Sequence, residues 1–155
     1  MTLLIFCFLL GCLTGLRSLT APAAVCWAAR LGWLHFAGTR LAFLDRTATL
    51  VVLTLLALGE LIADKLPQTP ARTAPLGLSA RIVVGCAGGV ALATSTGGNL
   101  LVAAIAGVAG ALVGTFAGYR IRHDLVSRAH FADFAVAITE DVIAIAGSLL
   151  VVSHM

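Results

Sequence analysis

The chain has 155 residues, of which 60% are hydrophobic and 11% are charged, and its mean hydropathy is +1.05. A soluble domain is about 45–50% apolar and about 25% charged, so this composition excludes the soluble class. The net charge of +3 arises from basic residues scattered over the links between apolar segments, a distribution that argues against nucleic-acid binding. The sequence therefore predicts an all-α fold, a single polytopic transmembrane domain over residues 1–155 in contact with the lipid bilayer.

Six apolar segments follow one another along the chain and give the predicted transmembrane helices. They cover about residues 3–16, 21–36, 47–66, 78–94, 100–119 and 134–152. A full span needs about 20 residues, with about 17 as a practical minimum. Segment 21–36 is short and carries Arg30, so five spans with one re-entrant segment are an alternative to six spans.

The distribution of basic residues between the links favours six spans. If segment 21–36 crosses the membrane, only Arg40 and Arg46 lie in links on one side. The basic residues on the other side are Arg17, Lys65, Arg72, Arg81, Arg120, Arg122 and Arg128. Because short loops rich in Lys and Arg stay in the cytoplasm, we expect these loops to be cytoplasmic and both termini to lie outside.

Two acidic pairs lie at the edges of apolar segments. Glu60 and Asp64 are one helical turn apart near the end of the third segment, and Glu140 and Asp141 open the last one. An ionised carboxylate within hydrocarbon costs about 2.5–3.5 kcal/mol on insertion scales, so such residues usually serve ion or proton pathways. These four carboxylates are the predicted site for a small cation or a proton. They indicate a transporter or channel-like protein for a cation or a proton-coupled small solute.

Arg17 and Arg120 are the predicted countercharges of this site. They end the first and fifth segments, on the same side as the four carboxylates. Like charges one helical turn apart repel each other, so Glu60 and Asp64 need a cation, a proton or an arginine between them. Structural ion pairs, in which Arg17 or Arg120 locks the bundle together, are therefore the main alternative to ion binding.

The link between the third and fourth segments is rich in proline and basic residues. Three prolines lie within residues 67–75, and Lys65, Arg72 and Arg81 lie in or beside this link. Guanidinium and ammonium groups on a stiff link could bind a phosphate or an anionic lipid headgroup. This gives the alternative function, a non-transporting membrane protein that binds headgroups or a partner through residues 65–81.

A stripe of small residues runs along the fifth segment. It consists of Gly107, Gly110, Gly114 and Gly118. Such stripes allow helix backbones to approach closely in lipid. The stripe therefore predicts either packing within the chain or a homodimer.

Motifs of the common catalytic sites are absent from the sequence. It contains no nucleophile elbow, no phosphate-binding loop, no H-E-x-x-H and no haem motif. We therefore expect no catalytic residue, no cofactor and no enzymatic activity. His123 and Asp124 lack recognisable ligand spacing, so the sequence predicts a solvated surface there rather than a metal site.

Residues 59–81 carry a motif that resembles a bacterial membrane protein family. The motif begins Gly59-Glu60-Leu61-Ile62-Ala63-Asp64-Lys65-Leu66-Pro67 and continues through Thr69-Pro70, Arg72-Thr73, Gly77-Leu78 and Ala80-Arg81. Further matches are Gly15-Leu16-Arg17-Ser18, Ala117-Gly118-Tyr119-Arg120 and Glu140-Asp141. The family is known as domain of unknown function 4126, and the resemblance covers nearly the whole chain. It implies a small integral protein of the bacterial inner membrane and brings no substrate or catalytic residue.

Overall fold

A computed structural model of the chain describes residues 1–65 and 73–155. Over these residues the structure is all-helical and contains no β-strand, so the predicted fold class is confirmed. The α-helices are α1 (Thr2–Leu16), α2 (Thr20–Arg30), α3 (Thr47–Ala63), α4 (Pro75–Thr96), α5 (Leu100–Ser127) and α6 (Asp133–Ser153). A short 3₁₀-helix, Ala42–Asp45, precedes α3.

Three of the helices, α4, α5 and α6, are long and apolar enough to cross a membrane. Helices α1 and α3 are also apolar but shorter, with 15 and 17 residues. Many large hydrophobic side chains on the outside of the bundle are exposed, and such a surface is stable in lipid rather than in water. The structure therefore agrees with a helical membrane bundle in contact with the bilayer.

The helices alternate in direction along the chain. The end of α3 meets the start of α2, where Glu60 accepts a hydrogen bond from the Ser18 amide at 2.8 Å. The start of α4 meets the end of α1, where Arg81 Nε donates to the Gly15 carbonyl at 3.2 Å. One end of the bundle therefore carries the C-terminal ends of α1, α3 and α5 and the N-terminal ends of α2, α4 and α6.

The alternating helix directions help to decide whether segment 21–36 crosses the membrane or re-enters on the same side. Helix α2 has 11 residues, about 16 Å at a rise of 1.5 Å per residue, which is too short to span a bilayer alone. However, α3 runs towards the end of the bundle at which α2 begins, so the chain between them must first travel to the opposite end. Leu34 and Phe36 are buried on that path. The arrangement therefore favours six passes over a re-entrant second segment.

The hairpin between α4 and α5 forms where the sequence changes from apolar to small and polar residues. Gly97 adopts a left-handed conformation, with φ of 70°, and ends α4. The Asn99 side chain then accepts hydrogen bonds from the amides of Leu101 and Val102. Glycine tolerates positive φ, and asparagine is a preferred N-cap, so both residues suit a tight reversal.

Helices α1, α4 and α5 form the tightly packed part of the bundle. Their contact surfaces carry glycines at positions where a Cβ atom would overlap the backbone of a neighbouring helix. At Gly11 it would meet the carbonyl oxygen of Gly107, and at Gly89 that of Ala103. The backbones therefore approach closely, which is how van der Waals packing holds helices together in lipid.

The glycine stripe on α5 faces this interior contact. Gly107 lies against Gly85 of α4, and Gly114 lies against Cys12 of α1. All four residues of the stripe are buried within the chain. The stripe therefore serves packing within the bundle, and a homodimer through it would require α1 and α4 to leave.

Candidate functional site

Most of the charged side chains that the sequence singles out meet at one end of the bundle, because six helix ends converge there. We call this group the charge cluster. It consists of Arg17, Asp64, Lys65, Arg122, Asp133, Glu140 and Asp141.

Arg17 lies at the centre of the charge cluster. Helix α1 ends at Leu16, and Arg17 adopts an extended conformation, with φ of −139° and ψ of 113°. Its side chain is only 1% exposed. Nη1 lies 2.6 Å from Asp64 Oδ2, and Nη2 lies 2.6 Å from Asp141 Oδ1. A buried guanidinium is therefore shared by two carboxylates, one at the end of α3 and one on α6.

Each of these carboxylates also contacts a second cation. Lys65 Nζ lies 2.6 Å from Asp141 Oδ2 and donates to the Leu61 carbonyl at 2.9 Å. Arg122 Nη1, on α5, lies 2.9 Å from Asp64 Oδ2. The signs of the charges thus alternate through Lys65, Asp141, Arg17, Asp64 and Arg122.

Arg122 also connects the charge cluster to the start of α6. Its Nε and Nη2 donate to the two carboxylate oxygens of Asp133, each at 2.9 Å. Its Nη1 lies 3.8 Å from Glu140 Oε2. The contact with Asp133 is bidentate, a geometry that adds both strength and directional specificity. The charge cluster therefore ties together the ends of α1, α3, α5 and α6.

The energetics of such a cluster are asymmetric. Burying paired charges gains little net stability, because the cost of removing them from water nearly offsets their attraction. Removing one member from a buried pair, however, typically costs about 3–5 kcal/mol, because the remaining charge loses its compensation. Protonation of Asp64 or Asp141, or competition from another cation, would therefore redistribute the contacts of Arg17.

Glu60 stands apart from the charge cluster and binds backbone amides. Its Oε1 accepts from the Ser18 N–H and its Oε2 from the Leu19 N–H, both at 2.8 Å. These amides immediately precede α2, whose first residue is Thr20. Helix N-termini carry unpaired N–H groups and a partial positive charge, so a carboxylate is well suited to this position. Glu60 therefore caps α2 and joins it to the end of α3.

The predicted countercharges and acidic pairs lie as follows. Arg17 contacts Asp64 and Asp141, whereas Arg120 lies on an exposed face of α5. Within the described residues Arg120 makes no ion pair, and Arg122 contacts the carboxylates from that helix. Glu140 and Asp141 are buried, but they do not open their helix: α6 begins at Asp133, so they lie in its third turn.

The residues predicted to bind headgroups mostly face the protein. Lys65 contacts Asp141, and the buried Arg81 donates to the carbonyls of Gly15 and Gly77. Arg72 lies outside the described residues. Two of the three predicted headgroup-binding side chains therefore hold helices together.

The surface around His123 is exposed. The side chains of His123 and Asp124 are 61% and 52% exposed. In residues 1–65 and 73–155 no group of three or more His, Cys, Asp or Glu side chains could hold a metal ion.

Comparison with known proteins agrees with the resemblance carried by residues 59–81. A family model described as "Domain of unknown function (DUF4126)" matches residues 4–154. No curated protein and no solved structure matches the chain significantly. The predicted family is therefore confirmed.

Proposed function

Because the chain belongs to this family of unknown function, which brings no activity with it, we propose a function from the geometry of the charge cluster. We propose a small transporter or channel-like protein for a cation or a proton-coupled small solute. The observation that carries the proposal is the buried Arg17, which is shared by Asp64 and Asp141 from two different helices. Intramembrane ionisable groups that pair with one another commonly mark ion pathways and proton relays.

The attachment of α3 suggests how such a cluster could act. Over its length α3 packs mainly on α2 and the short 3₁₀-helix among the described elements. At its C-terminal end, Asp64 and Lys65 bind α1, α5 and α6 through charges. A proton or cation that occupied Asp64 or Asp141 would weaken the contact with Arg17. The end of α3 could then move relative to α1 and α6, which gives a bistable element that an ion can bias.

We further propose that the charge cluster faces the cytoplasm of a bacterial inner membrane, with both termini outside. Support comes from the positive-inside rule, since the links at this end carry most of the basic residues. Labelling of a cysteine introduced at Ser127, which lies at the end of α5, tests the orientation. Impermeant maleimide should reach it from the cytoplasmic side only.

The alternative function, binding of anionic headgroups through residues 65–81, receives less support from the geometry. Lys65 and Arg81 already bind groups within the bundle. A headgroup would have to compete with Asp141 for Lys65. We therefore do not favour it over transport.

Flux measurements in proteoliposomes test the proposal. Protons or common monovalent cations should cross the membrane of vesicles that contain the wild-type protein. Asp64→Asn and Asp141→Asn should each raise or lower the flux per folded molecule by at least about tenfold, since each removes a charge from the contact with Arg17. Asp124→Asn is the matched control, because that carboxylate is exposed on the same end of the bundle.

Two results would count against different parts of the proposal. Absence of flux under every applied gradient would refute transport. Flux that is unchanged in both variants would remove the charge cluster from the mechanism while leaving transport in place. Glu60→Gln should retain most of the flux per folded molecule, because Glu60 caps α2.

A further inference from the structure

A groove of about 550 Å³ lies between α5 and α6, beside the charge cluster. It exists because α6 packs mainly on α1 and α2 and only lightly on α5. Its walls are mostly apolar side chains. They include Leu16, Ile121, Leu125, Phe131, Val136 and Ile143. A volume of this size is typical of small-molecule sites, which are mostly apolar and carry a few convergent polar groups.

Three polar side chains line this groove: Arg122, Thr139 and Glu140. Thr139 Oγ1 donates its hydrogen to the Ala135 carbonyl. The Arg122 guanidinium directs Nε and Nη2 at Asp133 and Nη1 at Asp64, so its donors point mainly away from a groove ligand. The donors in the groove are thus largely engaged.

Glu140 has the capacity to accept a further donor. A carboxylate offers about four lone-pair positions, so Glu140 can bind a ligand alongside the partners that it already has. Among these partners is Arg122, whose Nη1 lies 3.8 Å from Glu140 Oε2. The side chain is buried, so a cationic group beside it would interact in a medium of low dielectric constant.

We propose that this groove binds an amphiphilic cation, with the apolar body along α5 and α6 and an ammonium-type group at Glu140. An inorganic ion alone would contact the carboxylate and use none of the apolar wall. An anionic amphiphile would place its charge beside the Glu140 carboxylate. The role of this molecule as the transported cargo rests on the function proposed above, whereas its binding does not.

A second groove, of about 400 Å³, provides an internal comparison. It lies on the other side of α6, between α2, α3 and α6, and its lining includes Trp27, Leu58 and Ile145 but no charged side chain. It offers an apolar wall without a carboxylate. Substitutions there should leave the binding of an amphiphilic cation unchanged.

Equilibrium dialysis of the purified protein in phosphatidylcholine nanodiscs tests the inference. The probe is dodecyltrimethylammonium, with empty nanodiscs subtracted, and dodecanoate supplies the same chain with a negative headgroup. Wild type should bind the cation saturably and dodecanoate at least about tenfold more weakly. Glu140→Gln should weaken cation binding about tenfold, as expected for the loss of a charge-assisted contact.

Groove-filling variants keep the test decisive even if Glu140→Gln does not fold. Ala135→Phe, in the α5–α6 groove, should abolish binding, whereas Ile145→Phe in the second groove should not. No saturable binding by wild type, equal binding of dodecanoate, or wild-type affinity in Ala135→Phe would each overturn the inference. Wild-type affinity in a folded Glu140→Gln variant would do the same. Binding of the amphiphilic cation without any ion flux would uphold this inference and refute transport. Flux of inorganic cations without binding of the amphiphilic cation would uphold transport and refute this inference.

Discussion

Helices α5 and α3 are both apolar, but they are held in the bundle in opposite ways. Helix α5 buries its glycine stripe against the backbones of α1 and α4. Helix α3 buries only Ala57, and large side chains such as Leu55 and Ile62 are more than half exposed. Its C-terminal end is instead attached by Glu60, Asp64 and Lys65.

The contrast follows from the physics of the bilayer. Lipid tails are as apolar as leucine, so an apolar helix gains no hydrophobic free energy by leaving lipid for a protein surface. Close packing of small residues is one way to hold a helix, and polar contacts at the membrane edge are another. The carboxylates of α3 therefore serve attachment, and any change in their charge state would act on that attachment.

The largest expected effect concerns the centre of the polar attachment. Arg17→Met removes the guanidinium from between Asp64 and Asp141, and should lower stability by about 3–5 kcal/mol, the usual cost of breaking a buried pair. Lys65 and Arg122 still contact the two carboxylates, which favours the lower part of this range. Thermal unfolding of the detergent-solubilised protein measures the loss.

Arg120→Met is the matched control for this substitution. Arg120 lies near the same end of the bundle, but its side chain is exposed. Its removal should leave the unfolding temperature within error of wild type. Equal stability of Arg17→Met and wild type would show that the charge cluster does not hold α3.

The next largest effect concerns the close-packed region. At Gly114 a Cβ atom would overlap the backbone of Cys12, which cannot move aside as a flexible side chain could. Gly114→Ala should therefore lower stability by about 1–3 kcal/mol, as overpacking usually does. The same unfolding assay measures the change, and an unchanged or higher unfolding temperature would mean that α1 and α5 are less closely packed than described.

Much of the close-packed region could be predicted from the sequence. Six apolar segments become six helices, and Gly97 and Asn99, two residue types typical of helix ends, end α4 and cap α5. These features depend on local residue properties, namely hydropathy, glycine and asparagine. Helix α2 is shorter than the apolar segment 21–36, because Gly32 adopts a left-handed conformation, with φ of 76°, shortly after the helix ends at Arg30. Leu34 and Phe36 beyond it are nevertheless buried.

The charge cluster could be predicted only in part. The sequence predicts Arg17, Asp64 and Asp141 as members, but it favours Arg120 as the cation on α5, whereas Arg122 makes the contacts. A helical signal was available: Arg122 follows Gly118 by four residues and so continues the buried stripe, whereas Arg120 lies about 200° around the helix from Gly118. Which carboxylate pairs with which cation, in contrast, depends on which helix ends meet in space.

Glu60 illustrates what residue types alone do not reveal. Its partners are backbone N–H groups, which every residue except proline carries. Their availability depends on where α1 ends and α2 begins. Glu60→Gln keeps the shape of the side chain but removes its charge and one acceptor oxygen, so it should cost about 1–2 kcal/mol of stability.

The effect of Glu60→Gln should be smaller than that of Arg17→Met and should appear mainly at the start of α2. Hydrogen exchange of the Ser18 and Leu19 amides, which donate hydrogen bonds to Glu60, should become faster. Unchanged protection of both amides would contradict the cap. Faster exchange with wild-type flux would separate the cap from any ion-binding role.

The smallest expected effect is a gain in stability, and it compares a glycine of α3 with a glycine of α5. Gly59 lies inside α3, and a Cβ atom added there would meet nothing within 4 Å. Because alanine is a better helix former than glycine, Gly59→Ala should raise stability by up to about 1 kcal/mol. Gly114→Ala makes the same chemical change on α5 and should lower it. If Gly59→Ala proved as harmful as Gly114→Ala, the face of α3 that carries Gly59 would have to pack against another surface, and α3 could not be the loosely packed helix of the bundle.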